Sequence, residues 1–454
     1  MKFPAAVYPV LALAFVLAAP RAIAAAERTA PTLSPGCPAP DKFADAASSD
    51  PVALGWMQGS PPARDRQIRV ADGSSARFPQ TRWAFAHWRE LLPTMRVARG
   101  NGPVSRLERA ERADIDTLTF TPIGASTPMT WRQSLAANYT DGLVVLHRGR
   151  IVYERYAGAL TADGQHLAMS VTKSFTGTLT EMLIEEGRLD AAARVDRYLP
   201  ELAGSGFADA TVRQVLDMTT ALDYDENYTD AASDFVTYGK AAGFIGREVG
   251  YSGPDTVTDF LRTIGKSGEH GKAFTYRSPN TDVLAWLLHR VTGKRVPELL
   301  EERMWGPIGM EQDASFQIDA AGTPLAAGGL NLGLRDLARF GEVMRQDGRL
   351  DGRQVVPEAV VARIRAGARP GDFAGAGYTT LPGWSYHSQW WVSHDDHGVF
   401  MARGVNGQAI YVDPKVEMVV ARFGSSPVAT NKCLDPTTLP AFRVLAEQLM
   451  RSPD

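Results

Sequence analysis

The chain has 454 residues, of which 44% are hydrophobic and 22% are charged, a composition typical of folded globular proteins. Its formal net charge is -3 at pH 7, and its lysines and arginines are scattered along the chain rather than clustered. These properties exclude an extended disordered chain and provide no basic surface for nucleic acid or for an anionic membrane.

The first 24 residues have the pattern of an export signal. Lys2 precedes an apolar run from Ala5 to Ala19, and Ala22-Ile23-Ala24 is a small-x-small cleavage pattern. The run is shorter than the roughly 20 apolar residues that span a bilayer, which argues against the alternative of a membrane anchor. We therefore expect cleavage near Ala24 or Ala26 and a secreted or periplasmic protein without a stable membrane span.

Residues 25–76 are rich in Pro, Gly, Ala, Ser and Asp and show no sustained apolar period, which predicts an irregular N-terminal arm. Cys37 lies in this arm, and Cys433, the only other cysteine, lies near the C-terminus. Two cysteines define no spacing pattern, so a disulfide across the termini and a pair of free thiols both remain open.

Regular structure is predicted to begin near Trp83. Two β-branched apolar runs within residues 142–156 flank His147-Arg148-Gly149-Arg150, which predicts a β-hairpin. A helix from Ser170 to Glu186, ended by Gly187, opens a helix-rich stretch that extends to about residue 309. Further helices are predicted over residues 211–218, 281–292 and 334–346.

The C-terminal part alternates apolar runs with turn residues. Runs at 398–403, 408–412 and 416–423, separated by turns such as Asp413-Pro414, predict three consecutive antiparallel strands, and a last helix is predicted over 439–450. With the hairpin at 142–156, these strands predict an α+β fold in which both chain ends supply one sheet and a helical segment is inserted between them.

The sharpest chemical feature is Ser170 and Lys173, three residues apart at the start of an amphipathic helix. This spacing places both side chains on one helix face. A lysine whose pKa is lowered by burial can take the proton of a serine hydroxyl and so activate it as a nucleophile. By itself the pair is weak evidence, because Ser-x-x-Lys also occurs by chance at a solvated helix start.

Two further segments carry candidate residues. Tyr276 and Ser278 lie in a turn just before a predicted helix, where a tyrosine can relay protons to and from a reacting oxygen; the alternative is a core tyrosine beside a helix cap. Arg403, Gly404 and Val405 end a predicted strand, whose edge can supply a backbone N–H to an oxyanion. The alternative for this segment is a strand with a bulge.

Other constellations are weaker. No serine has the Gly-x-Ser-x-Gly surroundings of a Ser-His-Asp hydrolase. His394-Asp395-Asp396-His397 lacks the spacing of a structural metal site and is interpreted as a solvated turn. The acidic segment around Tyr224 lacks the glycine and terminal glutamate of a calcium loop. We predict no metal and no cofactor.

Taken in order, Ser170-x-x-Lys173, Tyr276-x-Ser278 and the strand at Gly404 resemble the motifs of the penicillin-recognising serine hydrolases. The chain is most similar to their class C β-lactamase-related branch, and within it to the 6-aminohexanoate-dimer hydrolases. Flanking segments such as LAMSVTKSFTGTL and FTYRSPNTDVLAWLLHRVTG share the likeness. The resemblance implies a three-layer α/β/α fold for residues 77–454, with a helical subdomain inserted at roughly 187–330.

The resemblance also implies roles for single residues. Ser170 would be the nucleophile, Lys173 its activating partner and Tyr276 the general acid/base, and the amides of Ser170 and Val405 would form the oxyanion hole. The implied substrate-binding residues are Tyr228, Ser278, Trp391 and Gly404. From the residues alone, Tyr228 is equally a surface loop tyrosine and Trp391 a core aromatic.

Two departures bear on the substrate. Ala402-Arg403-Gly404 replaces the Lys-Thr-Gly triplet of β-lactamases, and Ser278 stands where the class C enzymes have Asn. Efficient β-lactam hydrolysis is therefore not expected, unless Arg403 points into the cleft and binds the anion. We expect a hydrolase of small esters or linear amides that forms an acyl-enzyme; the alternatives are a β-lactamase, a DD-peptidase or a penicillin-type binding protein without turnover. The oligomeric state stays open.

Overall fold

A computed structural model of the chain describes residues 36–451. The predicted export signal lies outside these residues. No helix between residues 36 and 451 is long and apolar enough to cross a membrane.

The strands and helices follow one another in a mixed order along the chain. The strands are β1 (Thr94–Val97), β2 (Thr119–Phe120), β3 (Met129–Thr130), β4 (Thr140–His147), β5 (Arg150–Tyr156), β6 (His166–Leu167), β7 (Leu222–Asp223), β8 (Gly265–Lys266), β9 (Ala314–Gln317), β10 (Leu330–Leu332), β11 (Arg349–Leu350), β12 (Arg353–Gln354), β13 (Ser385–His387), β14 (Trp390–Val392), β15 (Phe400–Gly404), β16 (Gln408–Asp413) and β17 (Met418–Gly424). The α-helices are α1 (Thr81–Ala84), α2 (Trp88–Leu91), α3 (Trp131–Ala137), α4 (Val171–Glu185), α5 (Val195–Tyr198), α6 (Val212–Leu216), α7 (Asp234–Ala241), α8 (Val257–Thr263), α9 (Pro279–Thr292), α10 (Val296–Leu300), α11 (Gly306–Ile308), α12 (Leu334–Arg345), α13 (Glu358–Ala366), α14 (Pro370–Phe373) and α15 (Asp435–Arg451).

The largest sheet has seven strands in the order β13-β14-β15-β16-β17-β4-β5 and is antiparallel throughout. β4 and β5 form the predicted hairpin, whose turn residues Arg148 and Gly149 both have positive φ (52° and 75°), as the favoured two-residue hairpin turn requires. β15, β16 and β17 are the three predicted C-terminal strands, and β17 pairs with β4. Both ends of the chain therefore contribute to one sheet, as predicted.

Helices cover both faces of this sheet. Side chains alternate along a strand, and in β4 Val144 and Leu146 belong to one apolar core whereas Leu143 and Val145 belong to another. Helices α4 and α12 pack on the first face, and α3 and α15 contribute to the core on the second. This helix–sheet–helix arrangement confirms the predicted fold class.

A second sheet of four short strands, β1-β9-β10-β6, was not predicted. Its strands have two to four residues, too few for alternating polarity to identify a strand. β9 lies within residues 187–330, the range that the resemblance implies for the helical subdomain.

Helix α15 begins four residues before the predicted boundary at residue 439. Pro440, inside the helix, lacks the N–H that would bond to the carbonyl of Pro436. That carbonyl instead accepts a hydrogen bond from the amide of Ile123 (3.0 Å). A tertiary contact thus allows a helix where the local sequence indicates an interruption.

The arm over residues 36–76 contains three short 3-10 helices joined by turns. Cys37 and Cys433 form a disulfide, with their Cα atoms 5.6 Å apart. Of the two alternatives left open by the sequence, the structure shows the disulfide. The bond ties the start of the arm to the segment that leads into α15.

Candidate active site

Ser170 and Lys173 lie at the N-terminal end of α4. Ser170 immediately precedes the helix, and Lys173 Nζ lies 2.9 Å from Ser170 Oγ. The helix forms here because apolar residues such as Phe175 and Leu179 recur at helical spacing and are buried. At this distance an unprotonated lysine can accept the Ser170 proton, so the pair has the geometry of an activated nucleophile.

Lys173 is almost completely buried, with 1% of its surface exposed. Its amine also donates a hydrogen bond to the carbonyl of Ala327 (2.6 Å). Burial disfavours the charged form and lowers the pKa of Lys173 to about 8, although the carboxylates of Glu226 and Asp282 oppose this shift. A large fraction of Lys173 is therefore unprotonated in mildly alkaline solution.

Tyr276 lies in the turn before α9, and Lys173 Nζ lies 5.1 Å from the centre of its ring. Burial and then the charge of Glu226 raise the pKa of Tyr276 well above its usual value, whereas a hydrogen bond with Ser170 opposes the shift. At neutral pH Tyr276 is therefore a phenol that can donate a proton. Lys173 is the better proton acceptor of the two.

The end of β15 passes directly beside Ser170. A Cβ built on Gly404 would lie 3.0 Å from the amide nitrogen of Ser170 and 2.9 Å from the carbonyl oxygen of Ala168, so this position has no room for a side chain. Within residues 36–451, the amides of Ser170 and Val405 donate no backbone hydrogen bond. Both predicted oxyanion-hole amides are thus available to bind an acceptor.

Glu226, which the sequence analysis did not single out, joins two of the predicted substrate-binding residues. Its carboxylate accepts hydrogen bonds from the hydroxyl of Tyr228 (2.7 Å) and the hydroxyl of Ser278 (2.5 Å). The amide of Ser278 also donates to it. Glu226 stands two residues before Tyr228 in an acidic segment, and its sequence context contains no signal that distinguishes it from the neighbouring carboxylates.

Trp391 and Arg403 form a layer behind Tyr276. The ring of Trp391 stacks on Tyr276, with 5.8 Å between centroids and an angle of 28° between planes. The guanidinium of Arg403 lies 5.3 Å from the centre of the Trp391 ring and forms an ion pair with Asp435. Asp435 therefore neutralises part of the charge of Arg403, whose Nη1 atom is buried without a hydrogen-bond partner among the described residues.

The segment from His394 to His397 does not gather its side chains at one point. His394 is hydrogen-bonded to Ser385 (2.7 Å), and His397 to Asp413 (2.6 Å). Within the part of the chain that the structure describes, no three His, Cys, Asp or Glu residues are arranged to hold a metal ion.

Comparison with known proteins gives matches over most of the chain. A family model described as Beta-lactamase matches residues 132–432. A 6-aminohexanoate-dimer hydrolase of Paenarthrobacter ureafaciens is 35% identical over 389 residues, which cover 86% of this chain and 91% of that protein.

Solved structures agree with the family match. A candidate 6-aminohexanoate-dimer hydrolase from Bacillus anthracis has 29% identity and a TM-score of 0.78 over 87% of this chain and 100% of its own. A family VIII carboxylesterase shares the fold at 18% identity, with a TM-score of 0.53 over 70% of this chain and 96% of its own. The family match over residues 132–432 and the relative of 35% identity, together with the motif order, show that the chain belongs to the β-lactamase family and is a serine hydrolase.

Proposed function

We propose that the protein hydrolyses a small ester or linear amide through an acyl-enzyme on Ser170. The observation that carries this proposal is the buried Lys173, whose Nζ lies 2.9 Å from Ser170 Oγ. An alcohol oxygen next to an amine with a lowered pKa is a competent nucleophile for acyl transfer.

In the acylation step, Ser170 Oγ attacks the substrate carbonyl carbon while its proton passes to Lys173 Nζ. The carbonyl π electrons move to the oxygen, and the amides of Ser170 and Val405 bind this oxyanion. Collapse reforms the carbonyl and breaks the bond to the leaving group, which takes a proton from the phenol of Tyr276. The ammonium of Lys173 then returns a proton to Tyr276.

Deacylation uses the same groups, with water in place of Ser170 as the nucleophile. A water molecule attacks the acyl carbon and gives its proton to Lys173. When the second oxyanion collapses, Ser170 Oγ leaves and takes a proton from the phenol of Tyr276, the ammonium of Lys173 returns a proton to Tyr276, and the free acid departs. Lys173 and Tyr276 thus share the proton transfers in both halves of the reaction.

A linear amide is the substrate class favoured by the relative of 35% identity, which is a 6-aminohexanoate-dimer hydrolase. Tyr228 suits such a substrate, because its hydroxyl donates to Glu226 and leaves oxygen lone pairs free to accept the N–H of a leaving amide. Arg403 is already paired with Asp435, which reduces the positive charge available to a β-lactam carboxylate at this position. We expect esters and linear amides to be better substrates than β-lactams.

We also propose that the protein is exported. A disulfide between Cys37 and Cys433 is stable in oxidising compartments such as the periplasm and the extracellular space. Processing is tested by expressing the full chain with its leader and sequencing the N-terminus of the protein in the periplasmic and culture fractions. A chain that starts at Met1 and stays in the cytoplasm would contradict export.

The function is tested with a short-chain nitrophenyl ester, 6-aminohexanoate dimer and a chromogenic β-lactam. Ser170→Ala should lose nearly all activity on every substrate that the parent hydrolyses. The matched control is Ser174→Ala, one turn further along α4, whose buried hydroxyl donates to the carbonyl of Gln389 (2.7 Å) and should be dispensable for chemistry.

Mass spectrometry separates a hydrolase from a binding protein. A hydrolase should show a transient acyl adduct on Ser170 and continuous release of product. A persistent adduct without turnover would favour a penicillin-type binding protein, and activity of Ser170→Ala equal to that of the parent would end the proposal.

A further inference from the structure

Asp282 is a buried carboxylate that the proposed reaction does not yet use. It lies in the first turn of α9, six residues after Tyr276, and only 4% of its surface is exposed. A carboxylate at such a position is costly unless nearby groups stabilise it. The groups that contact the Asp282 carboxylate therefore indicate its role.

Asp282 is linked to Lys173 through a single residue. Its Oδ1 accepts a hydrogen bond from the amide of Ala327 (3.2 Å), and the carbonyl of Ala327 accepts one from Lys173 Nζ (2.6 Å). Its Oδ2 accepts a hydrogen bond from the hydroxyl of Tyr238 on α7 (2.5 Å). The loop at Ala327 and helices α4, α7 and α9 thus hold the carboxylate and the amine in fixed relation.

Attraction between Asp282 and Lys173 favours the charged form of each group, whereas burial disfavours both charged forms. Burial raises the pKa of Asp282 to about 7, and the hydrogen bond from Tyr238 and the charge of Lys173 oppose this shift. On Lys173, burial lowers the pKa, and the carboxylates of Glu226 and Asp282 oppose that shift. The titratable groups that interact with Asp282 are Lys173 on α4, Tyr238 on α7 and Tyr224 on the acidic segment after β7, and Glu226 on that segment interacts with Lys173.

We propose that Asp282 is a positioning residue that acts through Lys173, as a buried counter-charge that sets the pH at which Ser170 becomes reactive. This inference rests on the proposed function, because it assigns Lys173 as the group that accepts the Ser170 proton. During that transfer Ser170 Oγ loses a proton and Lys173 Nζ gains it. Above its pKa of about 7, Asp282 is a carboxylate and stabilises the new ammonium.

The counter-charge has two opposite effects on the rate. It makes Lys173 a stronger base, which favours proton transfer, but it also keeps more of Lys173 protonated at low pH. Removing the charge should therefore move the acid limb of the rate profile to lower pH and lower the plateau rate. A residue with a merely structural role would lower the rate without moving the limb.

The test uses the full chain and a fluorophosphonate probe, which forms a bond to the serine oxygen with loss of fluoride and needs no deacylation. The second-order labelling rate of Ser170 is measured against pH for the parent and for Asp282→Asn. We expect the acid limb of Asp282→Asn to shift down by about one pH unit, the lower end of the effect of a neighbouring opposite charge. One unit below the parent midpoint, the unprotonated fraction of Lys173 would rise from about one tenth to about one half, roughly fivefold.

Two further variants make the test specific. Asp282→Ser is a second neutral substitution and keeps the test available if the asparagine variant does not fold. Thr281→Val is the matched control, because Thr281 is the buried neighbour on α9 and loses one hydrogen bond to Gln389 (2.8 Å) without any change of charge. Both neutral Asp282 variants should shift the limb in the same direction, and Thr281→Val should leave it in place.

The outcomes separate this inference from the proposed function. If Ser170 of the parent is not labelled, the proposed function itself fails. If the parent is labelled and the neutral Asp282 variants keep its acid limb, or if Thr281→Val moves the limb as far as they do, the counter-charge role is wrong while the nucleophile assignment stands.

Discussion

Gly404→Ala is the substitution that tests the oxyanion hole most directly. The added methyl would lie 3.0 Å from the amide nitrogen of Ser170 and 2.9 Å from the carbonyl oxygen of Ala168. Both are main-chain atoms and cannot rotate away, so the end of β15 must shift by a few tenths of an ångström. That shift displaces the amide of Val405 from the position that an oxyanion requires.

The expected loss of activity follows from the effects that a lost oxyanion-hole donor and a misplaced group have on kcat. Removing one oxyanion-hole donor lowers kcat by about 100- to 1000-fold, and a 1 Å misplacement alone can cost about 100-fold. We therefore expect kcat/KM of Gly404→Ala to fall by about 100-fold. Crowding of this kind also destabilises a fold by about 1 to 3 kcal/mol, which must be measured separately.

The assay combines ester hydrolysis with thermal unfolding. Gly341→Ala is the matched control, because its methyl would lie 2.6 Å from Val419 Cγ1 and 2.8 Å from Ile410 Cγ2, crowding the contact between α12 and the same sheet away from Ser170. It should lower the melting temperature and leave kcat/KM of the folded protein close to that of the parent. Activity of Gly404→Ala within about threefold of the parent, or equal losses in both variants, would refute an oxyanion hole at this strand.

Three further predictions follow from other parts of the structure. Burial lowers the pKa of Lys173 to about 8. The rate of the acylation burst should therefore rise as pH increases through about 8, where Lys173 loses its proton, and then level off. A burst rate that falls over this range would contradict the role of Lys173 as the base. The disulfide joins Cys37 and Cys433 across a sequence separation of 396, for which the chain-entropy model gives an upper value of about 6 kcal/mol. Replacing both cysteines by serine should lower stability in urea unfolding without changing kcat, and an unchanged midpoint would show that the unfolded chain is not restrained. Gly177→Ala should lower the melting temperature, because its methyl would overlap the carbonyl oxygen of Ser388. Such crowding costs about 1 to 3 kcal/mol, against the roughly 1 kcal/mol gained in helix propensity. A melting temperature at or above that of the parent would show that the turn at Ser388 moves to make room for the methyl.

The local patterns of the chain identified several of its helices and strands and the pair Ser170 and Lys173. Helix α4 was predictable from apolar residues at the helical spacing of 3.6 residues, and the hairpin β4–β5 from two β-branched apolar runs that flank a turn. Ser170 and Lys173 were predictable as neighbours because three residues make nearly one helical turn. The order of three motifs then pointed to the family.

Contacts between distant segments could not be predicted from such local patterns. Glu226 meets Ser278 across 52 residues, and Arg403 pairs with Asp435, although nothing near either residue marks it. The disulfide between Cys37 and Cys433 remained one of two alternatives until the chain ends were brought together.

Sequence by itself indicated which residues are candidates for acyl transfer, because nucleophile, base and proton donor are properties of side chains at short spacings. Tertiary structure alone set the pKa values of those residues and the space around them. The pKa of Lys173 depends on burial and on the carboxylates of Glu226 and Asp282, and the space beside Ser170 depends on the approach of Gly404. Burial, electrostatic interaction and steric fit all act through space, so they follow the fold rather than the order of residues along the chain.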